Sequence, residues 1–169
     1  DEYHATLSPL FDASIAQTGI PADGGGALYL SRHPSGASCQ VTVPFTAFSG
    51  DEISRIPEMI SALGGAARIR ERFGLILAGI SSDQRVKGEE QLEMFRTLTG
   101  FLPPVIDYRK FLGEFASVSA VATVLAVRVV EENRIPDAFC HGESSELTGR
   151  GILILGFAHH VTALEVNPC

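Results

Sequence analysis

The most reactive side chains in this 169-residue sequence are the pairs Cys140–His141 and His159–His160. They raise two chemistries: metal ligation, and a thiol nucleophile activated by an imidazole. Zinc-type sites need cysteine and histidine at short, regular spacings, and these positions fit no such pattern, so no metal is expected. A Cys140–His160 nucleophile pair would need a third group to orient the base. Cys140 lies in the polar loop FCHGESSELTGR, which has no apparent orienting group. The acidic pair Glu89–Glu90 reads as the solvated start of a helix, where the dipole favours carboxylates. Gly24–Gly26 lacks the Gly-Lys-Ser/Thr continuation of a phosphate loop and reads as the way into a strand. Arg68, Arg70 and Arg72 read as a solvated face around one turn.

The elements that would position these residues are organised around 112–130, LGEFASVSAVATVLAVRVV. Its apolar residues, Phe115, Val118, Val121, Val124, Leu125, Val127 and Val130, go all the way round a helical wheel, with small residues between them. A surface helix would show a polar face. This one is expected to be buried on every side, closed by EENR and stopped by Pro136. Its length would reach across a bilayer, but Glu114 lies inside the window and a core helix is the better reading. Burial on all sides implies a sheet–helix–sheet sandwich.

Around it, 3–18 reads as a short helix or a helix plus loop, PADGGG as a turn, and Ala27–Ser31 and Ala37–Phe45 as strands of a hairpin. Ser49 and Glu52 have capping-box form before a helix that ends at Gly64–Gly65. FGLILAGI (73–80) suits a strand buried on both faces. Glu89–Leu98 reads as an amphipathic helix with Leu92, Phe95 and Leu98 inward. PPVID (103–107), GILILG (151–156) and HVTALEV (160–166) complete the strands. The order β-β-α-β-α-β-α-β-β gives an α/β protein with a mostly parallel sheet and antiparallel hairpins.

The composition is apolar for this size, with 45% hydrophobic residues and a mean hydropathy of +0.18. Part of the apolar surface is therefore expected to be covered by another chain. A net charge of −7 argues against nucleic acid as a partner. Three widely spaced cysteines match no disulfide framework, which points to a reducing cytoplasm. The sequence carries no signal peptide and opens on Asp1, as expected of a trimmed or cleaved chain.

Four segments in order resemble the C-terminal half of the β-ketoacyl synthase, or thiolase-like, fold. GGGALYL (24–30) resembles the family's GEGAGALVL strand. FGLILAGISSDQRVKGEEQLEMF (73–95) resembles INAHGTSTPLNDAVEAEAL. YRKFLGEFASVSAVATVLAVRVVEENRIP (108–136) resembles KSMTGHLLGASGALEAIATVLALRHGRIP, and GFAHHVTALEV (156–166) resembles GFGGHNAALVL. The resemblance spans roughly 24–166. It implies a mixed five-stranded sheet with a buried central helix, layered α-β-α-β-α when paired with the N-terminal half. Residues 1–23 are then a helix or linker from the preceding half, and 24–169 the C-terminal ketosynthase-like domain.

Active members use a cysteine nucleophile from the other half and two histidines. The first histidine belongs to the HGT loop, where this sequence has Gly79 and Ile80. The second follows a glycine before the long helix, where this sequence has Glu114 after Gly113, and the family's lysine corresponds to Arg109. A carboxylate would repel the negative charge that develops in Claisen condensation. Arg109 and Glu114 are expected to form a structural ion pair, with shaping of an acyl pocket as the sharper alternative. Phe157 matches the family's phenylalanine that gates access to the site, and His160 lies beside it.

No residue is therefore assigned as catalytic and no cofactor is implied. The resemblance implies a catalytically inactive subunit of an acyltransferase complex, most like the chain-length factor of a type II polyketide synthase. Implied partners are the N-terminal half of the same subunit, a catalytic ketosynthase in a heterodimer, and an acyl carrier protein bearing a phosphopantetheine-linked chain. Arg68, Arg70 and Arg72 are candidates for the carrier's docking site. Neither nucleic acid nor membrane is expected as a partner. Two alternatives are the C-terminal half of an active β-ketoacyl synthase, with Glu114 or His160 taking over acid–base work, and a plain scaffold.

Overall fold

A computed structural model gives the architecture; it describes residues 28, 36–48, 55–115, 117–136 and 145–169. The helix expected over 3–18, the turn at PADGGG, the strand Ala27–Ser31 with its hairpin, the Ser49–Glu52 cap and Cys140–His141 lie outside the described residues. So does the GGGALYL segment, apart from Leu28.

The described strands of the main sheet are β1 (Cys39–Phe48), β2 (Phe73–Gly79), β3 (Val105–Asp107), β6 (Gly151–Gly156) and β7 (His160–Pro168). Their order is β1-β7-β6-β2-β3. β2 runs parallel to both β3 and β6, and β7 runs antiparallel to both β6 and β1. The sheet is therefore mixed and five-stranded, as anticipated. Two short strands, β4 (Arg134–Ile135) and β5 (Ser145–Glu146), pair separately. β2 is flanked by parallel neighbours and covered on both faces, which is why FGLILAG carries no polar alternation. β1 alternates more, and Pro44 falls where its register shifts between Thr42 and Phe45. A residue without an N–H fits a ladder only at such an irregularity or on an edge.

The helices are α1 (Arg55–Ala62), α2 (Ala66–Arg72), α3 (Arg85–Thr99), α4 (Tyr108–Leu112) and α5 (Val118–Glu132). Two apolar clusters fill the two sides of the sheet. Ile76, Ala78, Leu153 and Leu155 pack with Ile56, Met59, Ile69 and Phe95 under α1 to α3. Leu75, Leu77, Ile152 and Ile154 pack with Val118, Ala122 and Ala126 under α5. Successive residues of one strand thus serve opposite layers.

Several expectations are corrected. The 112–130 stretch is two helices, because Gly113 at φ +86° ends α4. α5 is also not buried on every side. Val118, Ala122, Thr123, Ala126, Val129 and Val130 face the sheet, whereas Ser119, Ala120 and Arg128 are exposed. Val121, Val124, Leu125 and Val127 are half-buried. One sheet offers the helix one face to lie on, so the described residues form helix–sheet–helix layers with α5 outermost. Asn133, in the left-handed region, caps α5 and donates to Val129 O and Val130 O.

The inward face of α3 is Gly88, Gln91, Phe95 and Thr99. Leu98, expected inward, is half exposed, and Leu92 is only partly covered. α2 was not anticipated, because a seven-residue helix with one buried residue, Ile69, shows too little periodicity to be recognised. Of its arginines, Arg68 and Arg70 are exposed, as expected of a solvated face, but Arg72 grips Glu165 of β7 at 3.1 and 3.3 Å. Arg70 donates to the carbonyl of Thr99. Among the described residues, no helix is long and apolar enough to cross a membrane.

Candidate functional site

The candidate residues gather at the carboxyl ends of the parallel strands β2 and β6. In open α/β sheets this edge is where loops can converge on a ligand. β2 ends at Gly79. A Cβ there would stand 2.0 Å from the Tyr108 hydroxyl and 2.4 Å from its ring carbon Cζ. Tyr108 follows β3 directly and is 2% exposed. Its ring fills the room that a side chain at 79 would need.

Asp107 sets the entrance to α4. Its Oδ1 accepts the Arg109 N–H at 3.2 Å, and its Oδ2 accepts Arg85 Nη1 at 2.6 Å. Arg85 also donates to the Ile80 carbonyl at 3.2 Å. Ile80 is buried and packs so closely on α3 that a Cβ at Gly88 would come within 2.5 Å of it. The loop after β2 is therefore clamped between α3 and α4.

Glu114, in the short link after α4, reaches back to this loop. One carboxylate oxygen accepts the Ser82 N–H at 3.1 Å. The other accepts from Arg109 Nη1 in a tight ion pair. Both side chains are about three-quarters covered. With both oxygens engaged, Glu114 works as an acceptor that ties α4 to the end of β2.

Phe157 sits in the turn between β6 and β7, buried, and its N–H donates to Gly79 O at 3.2 Å. The next residue, Ala158, has φ +88°. Gln91, wholly buried on α3, holds that strained turn from both sides: it accepts the Ala158 N–H at 2.6 Å and donates to the Ala158 carbonyl at 3.3 Å. A backbone angle that a β-carbon disfavours persists only where its surroundings fix it, and Gln91 is the fixing group.

Of the six residues singled out from the sequence, Gly79, Ile80, Arg109, Glu114 and Phe157 thus meet around the end of β2. His160 does not join them. It starts β7, two strands away in the sheet, is exposed, and its ring lies 5.3 Å from that of Phe48 on β1. The His159 ring stacks on that of the same residue at 6.3 Å. Sequence reasoning missed Tyr108, Asp107, Arg85 and Gln91. For Gln91 a signal existed: a polar residue on the 88–91–95–99 stripe of a helix that must cover a sheet. For Tyr108 no spacing pointed to Gly79, because the contact is made across the β2–β3 pairing.

No family model and no curated protein matches the chain. A solved structure is similar in fold: a chain of "AntDE:AntF (apo): type II PKS acyl-carrier protein in complex with its ketosynthase bound to the hexaketide", at a TM-score of 0.50 and 17% identity. The match covers 79% of this chain and 38% of that one, so the present chain spans well under half of its neighbour's length. This mixed α/β fold is therefore similar to a chain of a type II polyketide synthase complex.

Proposed function

We propose that this chain is the C-terminal part of a non-catalytic, thiolase-like chain-length factor. On this reading it pairs with an active ketosynthase in type II polyketide biosynthesis and shapes the tunnel that receives the growing chain. The observation that carries the reading is the state of the two positions at which the resemblance places histidines. At the end of β2 the imidazole is replaced by a glycine whose space a phenol fills. At 114 a carboxylate stands fully engaged by Arg109 and the Ser82 amide. The glycine has no side chain to act on a developing enolate oxygen, and a carboxylate with both oxygens engaged would repel its charge. The fold similarity to a chain of a ketosynthase–carrier complex and the half-covered aliphatic face of α5 support the same reading. That face fits a layer supplied by the remaining half of the subunit, and Phe157 remains in place as a wall residue of the acyl path. The carrier protein and its phosphopantetheine-linked chain are the partners this role requires.

The test is reconstitution. The chain co-expressed with its N-terminal half and a ketosynthase should appear in native mass spectrometry as a heterodimeric assembly. Glu114→His should leave the assembly without condensing activity of its own, while the ketosynthase subunit still makes product. Failure to assemble with any ketosynthase would sink the proposal. If Glu114→Gln abolished turnover in an intact assembly, the chain would instead belong to an active condensing enzyme with an atypical site.

A further inference from the structure

α5 crosses the sheet on a diagonal. It begins just after Glu114, which is tied to the Ser82 N–H beyond the end of β2, and it finishes over the start of β1. There Ser38 Oγ donates to Glu131 Oε1 at 2.6 Å, and Cys39 Sγ meets the Val127 carbonyl at 3.9 Å. A diagonal helix leaves a corner of its sheet face uncovered, and here it is the corner where β1 ends and β7 begins. Val161 and Ala163 of β7 point into the cluster under α1 to α3, so His160, Thr162 and Leu164 point to the α5 side. Leu164 packs against the α5 cluster, Thr162 is half-buried and His160 is exposed. Their partners on β1 continue the bare patch: Thr46, opposite Thr162, is exposed, and Phe48, opposite His160, is 64% exposed. Gly156 adjoins them on β6, and the Thr162 hydroxyl lies 2.4 Å from where a Cβ at 156 would stand.

We propose that this corner is a docking surface for an uncharged helix of the remaining half of the subunit, with Phe48 as its anchor. The chemistry of the corner selects that occupant. Its described lining residues, Thr46, Phe48, Gly156, His160 and Thr162, include no Asp, Glu, Lys or Arg, although the chain as a whole carries a net charge of −7. An occupant therefore needs apolar contacts and a few hydroxyl partners, not counter-charges. The corner adjoins the half-covered aliphatic flank of α5, so one helix laid beside α5, at the usual spacing of about 8–10 Å, would cover both. In the solved chain of similar fold the matched part is 38% of the whole, which leaves ample polypeptide to supply such a helix. Exposed aromatic rings at the centre of an interface carry much of its energy, and the Phe48 ring is held in place by those of His159 and His160. The inference rests on the proposed function only for the identity of the partner.

Carbethoxylation of histidine, read by mass spectrometry, tests the surface on the full chain alone, with its N-terminal half, and with the ketosynthase added. His160 should react in the chain alone and lose its reactivity once the N-terminal half is bound, before any ketosynthase is present. Protection in the chain alone would give the corner to its own polypeptide, and protection that grows with concentration would give it to a second copy. Protection that needs the ketosynthase would give it to that subunit. Each of these results overturns the inference. Phe48→Asp should weaken association with the half about thirtyfold, the loss of one anchor residue, while the circular dichroism of the isolated chain stays unchanged. If Phe48→Asp disturbs the isolated chain, Thr46→Lys on the same patch decides, and undiminished affinity there overturns the docking surface. An N-terminal half that binds while His160 stays reactive removes this inference alone, whereas a half that never binds removes the proposed function with it.

Discussion

At the residue scale, the end of β2 shows how a glycine can sit in a close-packed interior without leaving a hole. Interiors are close-packed, and a buried glycine at a strand end would open a void unless something filled it. Tyr108 fills it. Burial raises the pKa of its phenol, with Asp107 and Glu114 adding to the rise and Arg109 opposing it. The sign is that of an acid kept neutral in the fold. The stability it contributes is intact below the ordinary tyrosine value of about 10 and is lost as the pH climbs from there through the raised folded value. Urea unfolding should therefore show stability falling on the alkaline side of pH 10, and Tyr108→Phe should flatten part of that fall. A Tyr108→Phe chain with an identical alkaline decline would assign the effect to other groups. Ala158 carries a second residue-scale lesson. It is not a glycine, yet its φ is positive, and Gln91 holds both of its backbone groups there.

At the scale of elements, polar links through the sheet matter as much as the apolar layers. Arg72 at the end of α2 meets Glu165 of β7, whose side chain is 9% exposed, and Thr42 of β1 donates to the same carboxylate at 3.3 Å. Removing one partner of a covered pair strands the other charge. Arg72→Ala is accordingly expected to cost about 3 kcal/mol, whereas Arg128→Ala on the outer face of α5, where the pairs are local and exposed, should cost about 0.5 kcal/mol. Equal costs in chemical denaturation would show that the β7 network is solvent-screened. These links were illegible in the sequence. Arg68, Arg70 and Arg72 read alike as a solvated row, and only the packing of α2 between the sheet and α3 sent Arg72 to Glu165 and Arg70 to the end of α3.

At the scale of the whole molecule, α5 has one face on the sheet and one face of Ala120, Val121, Val124 and Leu125 that the described chain leaves open or half open. Under the proposed assembly that face meets the remaining half of the subunit. Ala120→Arg would then bring an unpaired charge into the joint. It should leave the chain's own circular dichroism unchanged and abolish association with the N-terminal half in native mass spectrometry. An assembly that tolerates the arginine would place the partner on another surface.

The longer strands and helices from Cys39 to Pro168 were legible from residue types alone, because each buries enough apolar surface for its period to show; the short α2, α4, β4 and β5 do not, and were not legible. β2 announced itself as a strand covered on both faces, GILILG as a strand, and Gly64–Gly65 announced the end of α1. The absence of histidine at 79, 80 and 114 was equally a property of the sequence. What stands in their place was decided by tertiary structure. Tyr108 reaches Gly79 only because β3 lies beside β2, with Asp107 level with Ala78. Glu114 reaches Ser82 only because Gly113 turns the chain back between α4 and α5. Contacts between residues about thirty positions apart leave no local period, so pairing and packing alone could bring them together.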